Sequence, residues 1–116
     1  MSPDDLKKRT KQFGLRLIRL VQHLPNTKAA STIGNQLLRC GTSVGANYRA
    51  ACRGRSKAEF IAKLGIVEEE ADESAYWLEM LVEANIIKIH SVSELLAEAN
   101  GLTAIMTKSR QTAKRK

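Results

Sequence analysis

At 116 residues, with 43% hydrophobic and 27% charged side chains, the chain fits one globular domain spanning 1–116, and its composition argues against disorder. The net charge of +7 favours a polyanionic partner, although Lys114, Arg115 and Lys116, in a basic C-terminal tail from about 108 to 116, supply part of it and such a tail also serves solubility. Cys40, Cys52, His23 and His90 form no disulfide framework and no metal-ligand spacing, no apolar run approaches the ~20 residues of a membrane span, and Met1–Asp5 lacks a signal-peptide core; a cytoplasmic protein without metal or cofactor is expected.

Only two prolines and seven glycines interrupt the chain, so long helices are permitted. The first is announced by Ser2-Pro3-Asp4-Asp5: an N-cap serine, a proline at the first helical position and two carboxylates at the positive helix end. It is expected to reach about Leu24 and stop at Pro25-Asn26. At about 100° per residue, Leu6, Phe13, Leu17, Leu20 and Leu24 share a stripe, with Lys8, Lys11, Arg16 and Arg19 mostly outside it.

The second helix begins near Asn26 or Thr27 and buries Ile33, Leu37, Cys40, Val44 and Ala51. Its middle, Cys40-Gly41-Thr42-Ser43-Val44-Gly45, is poor in helix formers. Because the apolar stripe continues in phase across the glycines, close approach of a neighbouring helix is expected rather than a bend. Arg39, Arg49 and Arg53 lie on the opposite face, followed by Arg55 and Lys57. These arginines suit phosphates and suit equally the acidic face of the next helix, and both readings stand.

The third helix opens at a capping box, Ser56-Lys57-Ala58-Glu59, and runs to about Ala84, with Phe60, Leu64, Val67, Ala71, Ala75, Leu78 and Val82 facing the core. Asn85-Ile86 reads as a left-handed C-cap with its apolar partner. A second stripe, Ile66, Trp77 and Met80 with Ala62 beside them, is rotated by about 100° or more from the core. It could widen the core; a subunit interface is the reading preferred, because tryptophan is enriched at interfaces. Glu70 and Glu73 flank it. The wider acidic run, Glu68 to Glu83, lacks the Glu-x-x-His pairs of a di-iron bundle and reads mostly as solvated surface. The fourth helix is expected to start at another capping box, Ser91-Val92-Ser93-Glu94, to bury Leu95, Ala99, Leu102 and Met106, and to fray into its basic end. Short links favour antiparallel neighbours, so the fold expected is an all-α, up-down-up-down four-helix bundle. No nucleophile–base pair and no phosphate loop appears, which points away from an enzyme.

The stretch Gln36-Leu37-Leu38-Arg39-Cys40-Gly41-Thr42-Ser43-Val44-Gly45-Ala46-Asn47, continuing through Tyr48-Arg49-Ala50 to Arg55-Ser56-Lys57-Ala58-Glu59-Phe60-Ile61, resembles the signature of the bacterial four-helix bundle proteins known as the 23S rRNA intervening-sequence protein family. The resemblance covers nearly the whole chain and implies a homopentameric ring of antiparallel bundles. It also implies kinship with proteins encoded in insertions within 23S rRNA genes and with accessory proteins of diversity-generating retroelements, which bind nucleic acid and a reverse transcriptase. By position, Ser43, Asn47, Ser56, Glu59 and Phe60 match the motif and look structural, with Asn47 expected to satisfy backbone groups at an inter-helix contact. Gly45 stands where many relatives have proline.

The function expected is therefore a non-enzymatic oligomer that binds RNA or DNA through Lys8, Lys11, Arg16, Arg19, Arg49, Arg53, Arg55, Lys114 and Arg115. Its interface would be built from Ile66, Glu70, Glu73, Trp77 and Met80. Among the cations, those of the first helix and the tail look better suited to phosphate, having no obvious acidic partners. The alternative is a module that docks a partner protein without nucleic acid.

Overall fold

The computed structural model describes all residues, 1–116, and its four long helices are α1 (Pro3–Gln22), α2 (Lys28–Cys52), α3 (Lys57–Glu83) and α4 (Ser93–Arg115). Each start follows local chemistry where a polar cap is available. Ser2 Oγ accepts from the Asp5 N–H at 3.1 Å while Asp5 Oδ2 accepts from the Ser2 N–H at 3.1 Å, closing a reciprocal box. Thr27 Oγ1 accepts from the Ala30 N–H. Ser56 Oγ accepts from the Glu59 N–H at 3.1 Å, but the Glu59 carboxylate turns to the Arg55 N–H instead, so the expected box is only half closed.

Two helix ends differ from their expected places. α1 stops at Gln22 rather than Leu24, because His23 takes the C-cap position and its Nδ1 meets the Arg19 carbonyl at 2.7 Å. The Ser91–Glu94 capping box does not form: Ile89–Ser91 wind into a 3-10 turn, and Val92, with no side-chain cap, stands at the start of α4. Val92 is fully buried, so apolar burial, not a hydroxyl, sets where α4 begins. The end of α3 behaves as its sequence suggests. Asn85 has φ 60°, its N–H reaches the Val82 carbonyl at 3.0 Å, and the Ile86 N–H reaches the Leu81 carbonyl at 2.9 Å. The basic tail does not fray, since α4 continues through Arg115; cations in a last turn are favoured by the negative helix end.

Consecutive helices pack against one another in an antiparallel four-helix bundle, 47 × 19 × 19 Å in extent, and of the neighbouring helices α1 and α4 meet least. The core combines Phe13 and Leu17 with Leu37, Val44, Leu64, Val67, Ala71, Leu78, Ala99, Leu102 and Met106. Tyr48, Leu81 and Val92 join it, while Leu20 and Leu24 of the α1 stripe and Phe60 and Val82 of α3, expected inside, are only partly buried. α2 passes unbroken through its glycines. A methyl group on Gly41 would lie 2.1 Å from Leu17 Cδ1, and one on Gly45 would lie 3.3 Å from the Lys11 backbone nitrogen. The small residues thus let α1 and α2 approach closely, as the in-phase stripe indicates. Across the sparse α1–α4 seam, Arg9 grips Glu98 with two hydrogen bonds of 2.7 Å. That fork-to-fork geometry gives orientation as well as attraction.

Candidate nucleic-acid interface

Charge is unevenly distributed along the bundle. The end that gathers the start of α1, the end of α2, the start of α3 and the end of α4 carries Lys7, Lys8, Lys11, Arg49, Arg53, Arg55, Lys57, Lys63, Lys108, Lys114, Arg115 and Lys116. Carboxylates there are Asp4, Asp5 and Glu59, together with Glu98, which is held by Arg9 and lines a depression beside Asp5 and Lys8. The carboxylates from Glu68 to Glu83 occupy the middle and far part of α3, with Glu68 paired to Arg110 of α4 at 2.8 Å.

On the basic end, the close α1–α2 approach leaves a shallow trough of about 500 Å³. Gly14, Thr42, Gly45 and Ala46 line it, with Leu15 and Ile18; Lys7, Lys8 and Lys11 contribute from α1 and Arg49 from α2. A second depression shares Ala46 and Arg49 and adds Arg53, Arg55, Glu59 and Lys63. The helical period explains the grouping: Lys8 and Lys11, and Arg49 and Arg53, each stand one turn apart on the faces that flank the glycine seam. Lys8, Lys11, Arg49, Arg53 and Arg55 are exposed, and no carboxylate lies within 4.0 Å of their charged groups; in this strip only Lys7 is paired, loosely, with Asp4 at 3.9 Å.

The remaining cations singled out from sequence fall elsewhere. Arg16 reaches Glu94 at 3.6 Å and lines a small depression beside Arg9 and Glu98. Arg19 is exposed two turns beyond the trough's lysines, and Lys114 and Arg115 are exposed on the last turn of α4 without lining either depression. Arg39 leaves the basic set altogether. It binds Glu70 at 3.4 Å and also Glu73, across the α2–α3 contact. Of the helix-two arginines, Arg39 therefore takes the structural pairing with α3, while Arg49 and Arg53 are left without an ion pair. Lys7 and Lys63 belong to the strip but escaped the sequence reading; Lys7, one turn before Lys11, could have been found from that spacing.

The second α3 stripe is partly exposed. The Trp77 ring is half-buried, its Nε1–H donates to Glu73 Oε2 at 3.1 Å, and Tyr76 stacks on it edge-to-face at 5.0 Å. Tyr76 is 51% exposed and Ile66 39%, whereas Met80 rests against the core. Glu70 and Glu73 serve Arg39 of their own chain. Tyr76, next to Trp77, adds an aromatic ring to this stripe that periodicity alone did not single out.

Two of the motif residues, Ser43 and Asn47, hydrogen-bond within α2. Ser43 Oγ donates to the Arg39 carbonyl at 2.7 Å and Asn47 Nδ2 to the Ser43 carbonyl at 2.9 Å. Asn47 thus completes a turn of α2 rather than the inter-helix contact expected of it, because the glycine seam brings α1 in on a different face. Phe60 lines an apolar cleft at the basic end with Leu6, Tyr48, Cys52 and Ile105. Burial pushes up the pKa of the Tyr48 hydroxyl and of the Cys40 thiol. No group of three or more His, Cys, Asp or Glu side chains is placed to hold a metal ion, and no helix is long and apolar enough to cross a membrane.

Residues 5–108 match the family of the 23S rRNA-intervening sequence protein. The chain belongs to that family. A crystal structure at 1.70 Å resolution of a protein with unknown function from the S23 ribosomal protein family of Bacteroides thetaiotaomicron is 31% identical, with a TM-score of 0.88 over 96% of this chain and 99% of that one. No curated protein matches. Neither the family's description nor the neighbour's names a catalytic activity.

Proposed function

We propose that this family member acts without catalysis, as a cytoplasmic homo-oligomer, a pentamer, that holds RNA or DNA on the strip formed by Lys8, Lys11, Arg49, Arg53 and Arg55. The observation that carries the reading is the placement of these cations on one face around a trough, free of ion pairs. Unneutralised cations with small residues between them let phosphates approach, and phosphate contacts dominate sequence-independent affinity. Lys114 and Arg115 strengthen the positive potential of the same end, while Arg16 is engaged by Glu94. Five phosphate contacts give a salt dependence of log K near −4.5 per decade, or a roughly 500-fold loss between 50 and 200 mM salt. Binding of a structured RNA measured across that range tests the reading, with Arg49→Glu/Arg53→Glu reducing affinity at least about tenfold at 100 mM salt. A flat salt response, or a variant that binds as well as the parent, overturns it.

A second reading rests on the exposed Tyr76 and Ile66 beside Trp77: the α3 face docks a partner protein. It is favoured if a protein co-purifies after nuclease treatment and is lost when Tyr76 is replaced by Glu.

A further inference from the structure

The strip differs from a single-strand binding surface in what it lacks. Proteins that hold single strands combine a basic groove with aromatic rings on which unpaired bases stack. Phe13, Tyr48, Phe60, Tyr76 and Trp77 are all the aromatic residues of this chain, and none lines the trough or the depression that continues it. Phe13 and Tyr48 are buried, Phe60 faces the end cleft, and Tyr76 and Trp77 stand among the carboxylates of α3.

The trough offers cations from two sides and little between them. Lys8 and Lys11 stand on α1, Arg49 and Arg53 on α2, with Gly14, Gly45 and Ala46 among the residues between. Its helical walls present no long loop that could reach into a groove and read base edges, since the nearest connection, Arg53–Ser56, is four residues long. Such a surface interacts with phosphate and sugar and gains nothing from an unpaired base.

We infer that the strip selects double-stranded over single-stranded nucleic acid and is indifferent to base sequence. The inference rests on the nucleic-acid reading proposed above. A duplex presents about one phosphate charge per 1.7 Å of axis in a fixed geometry. A single strand of equal length carries a lower linear charge density and must be ordered to align its phosphates, with no stacking on the protein to offset that loss. Duplex DNA and duplex RNA share the phosphate chemistry that the strip recognises, and both fall under the inference.

The test compares labelled 20-base-pair duplex DNA, duplex RNA of the same sequence, and each corresponding single strand, by fluorescence anisotropy with the full chain at 100 mM salt. Both duplexes are expected to bind at least about fivefold more tightly than their single strands. Scrambling the sequence should change neither affinity by more than about twofold. Single strands binding as tightly as duplexes overturn the inference while leaving nucleic-acid binding intact; no binding of any probe overturns the underlying reading as well. A designed gain provides a second arm. Ala46 is exposed at the junction of the two depressions, so Ala46→Trp places a stacking ring in the strip without disturbing the core. It should strengthen single-strand binding about tenfold and erase the duplex preference. An unchanged ratio in that variant overturns the placement of the phosphates in the trough.

Discussion

Gly41 and Gly65 show how differently the same residue can be used. An added methyl at Gly41 would lie 2.1 Å from Leu17 Cδ1, whereas at Gly65 the nearest atom is Arg110 Cδ at 3.9 Å. Leu17 is fully buried and has little room to retreat. The overpacking in Gly41→Ala, typically about 1–3 kcal/mol, therefore outweighs the roughly 1 kcal/mol gained in helix propensity. Gly65→Ala keeps only the gain. Chemical denaturation should show Gly41→Ala destabilised by about 1 kcal/mol and Gly65→Ala stabilised by about 0.5–1 kcal/mol. Asp5 supplies a pH signature on the same scale. Hydrogen bonds from the Ser2 backbone and side chain hold its pKa below the ordinary 3.8. A depressed folded-state value means that its contribution is full above 3.8 and fades as pH falls through the lowered value. A carboxyl-carbon NMR titration should place Asp5 below 3.8, and Ser2→Ala, which removes the side-chain contribution but keeps the larger one from the Ser2 backbone N–H, should bring it only part of the way back. The Ser2 cap was legible because its partners are neighbours in sequence; the clash at Gly41 was legible only as a crowding of small residues, since its depth depends on Leu17 from another helix.

At the scale of elements, most helix boundaries could be read because they answer to local polar chemistry: Ser2, Thr27 and Ser56 at starts, Asn85 at an end. Asn85 holds a left-handed backbone, which other non-glycine residues adopt at a cost of roughly 1 kcal/mol. Asn85→Ala should lower the midpoint of thermal unfolding by several degrees, as about 1 kcal/mol does in a domain of this size, and Asn85→Gly should match or exceed the parent. The start of α4 could not be read. Ser91 and Glu94 form a plausible box in sequence, but burial of Val92 against the other helices fixes the turn before it. Apolar periodicity located nearly all of the core, and overreached at Leu20 and Leu24, near and just past the end of α1, and at Phe60 and Val82, at or near the ends of α3, which are only partly buried where neighbours run out. The bend-or-approach question at Gly41–Gly45 was answered in sequence by the phase of one stripe, which a bend would have broken.

For the whole molecule, the bundle and the basic character were legible, and so were Lys8, Lys11, Arg49, Arg53 and Arg55; the limits of the strip were not, since Arg16, Arg19, Lys114 and Arg115 lie off it and Lys7 and Lys63 line it. Net charge counts Arg9, Arg39 and Arg110 alongside Arg49 and Arg53, yet Glu98, Glu70 with Glu73, and Glu68 engage the first three across helix contacts. Only the packing separates occupied cations from available ones. Assembly is decided at this scale too. The proposed interface needs the Ile66–Tyr76–Trp77 face, so Trp77→Glu should bring the light-scattering mass down toward the 12.8 kDa of one chain; an unchanged mass above it would place the contact elsewhere. The gathering of lysine and arginine at one tip of a body 47 Å long also makes each protomer an electric dipole. Cyclic symmetry cancels the components across the rotation axis and adds those along it. A ring with its protomers upright would present a cationic rim and an anionic rim, and would meet a polyanion with only one of its two mouths.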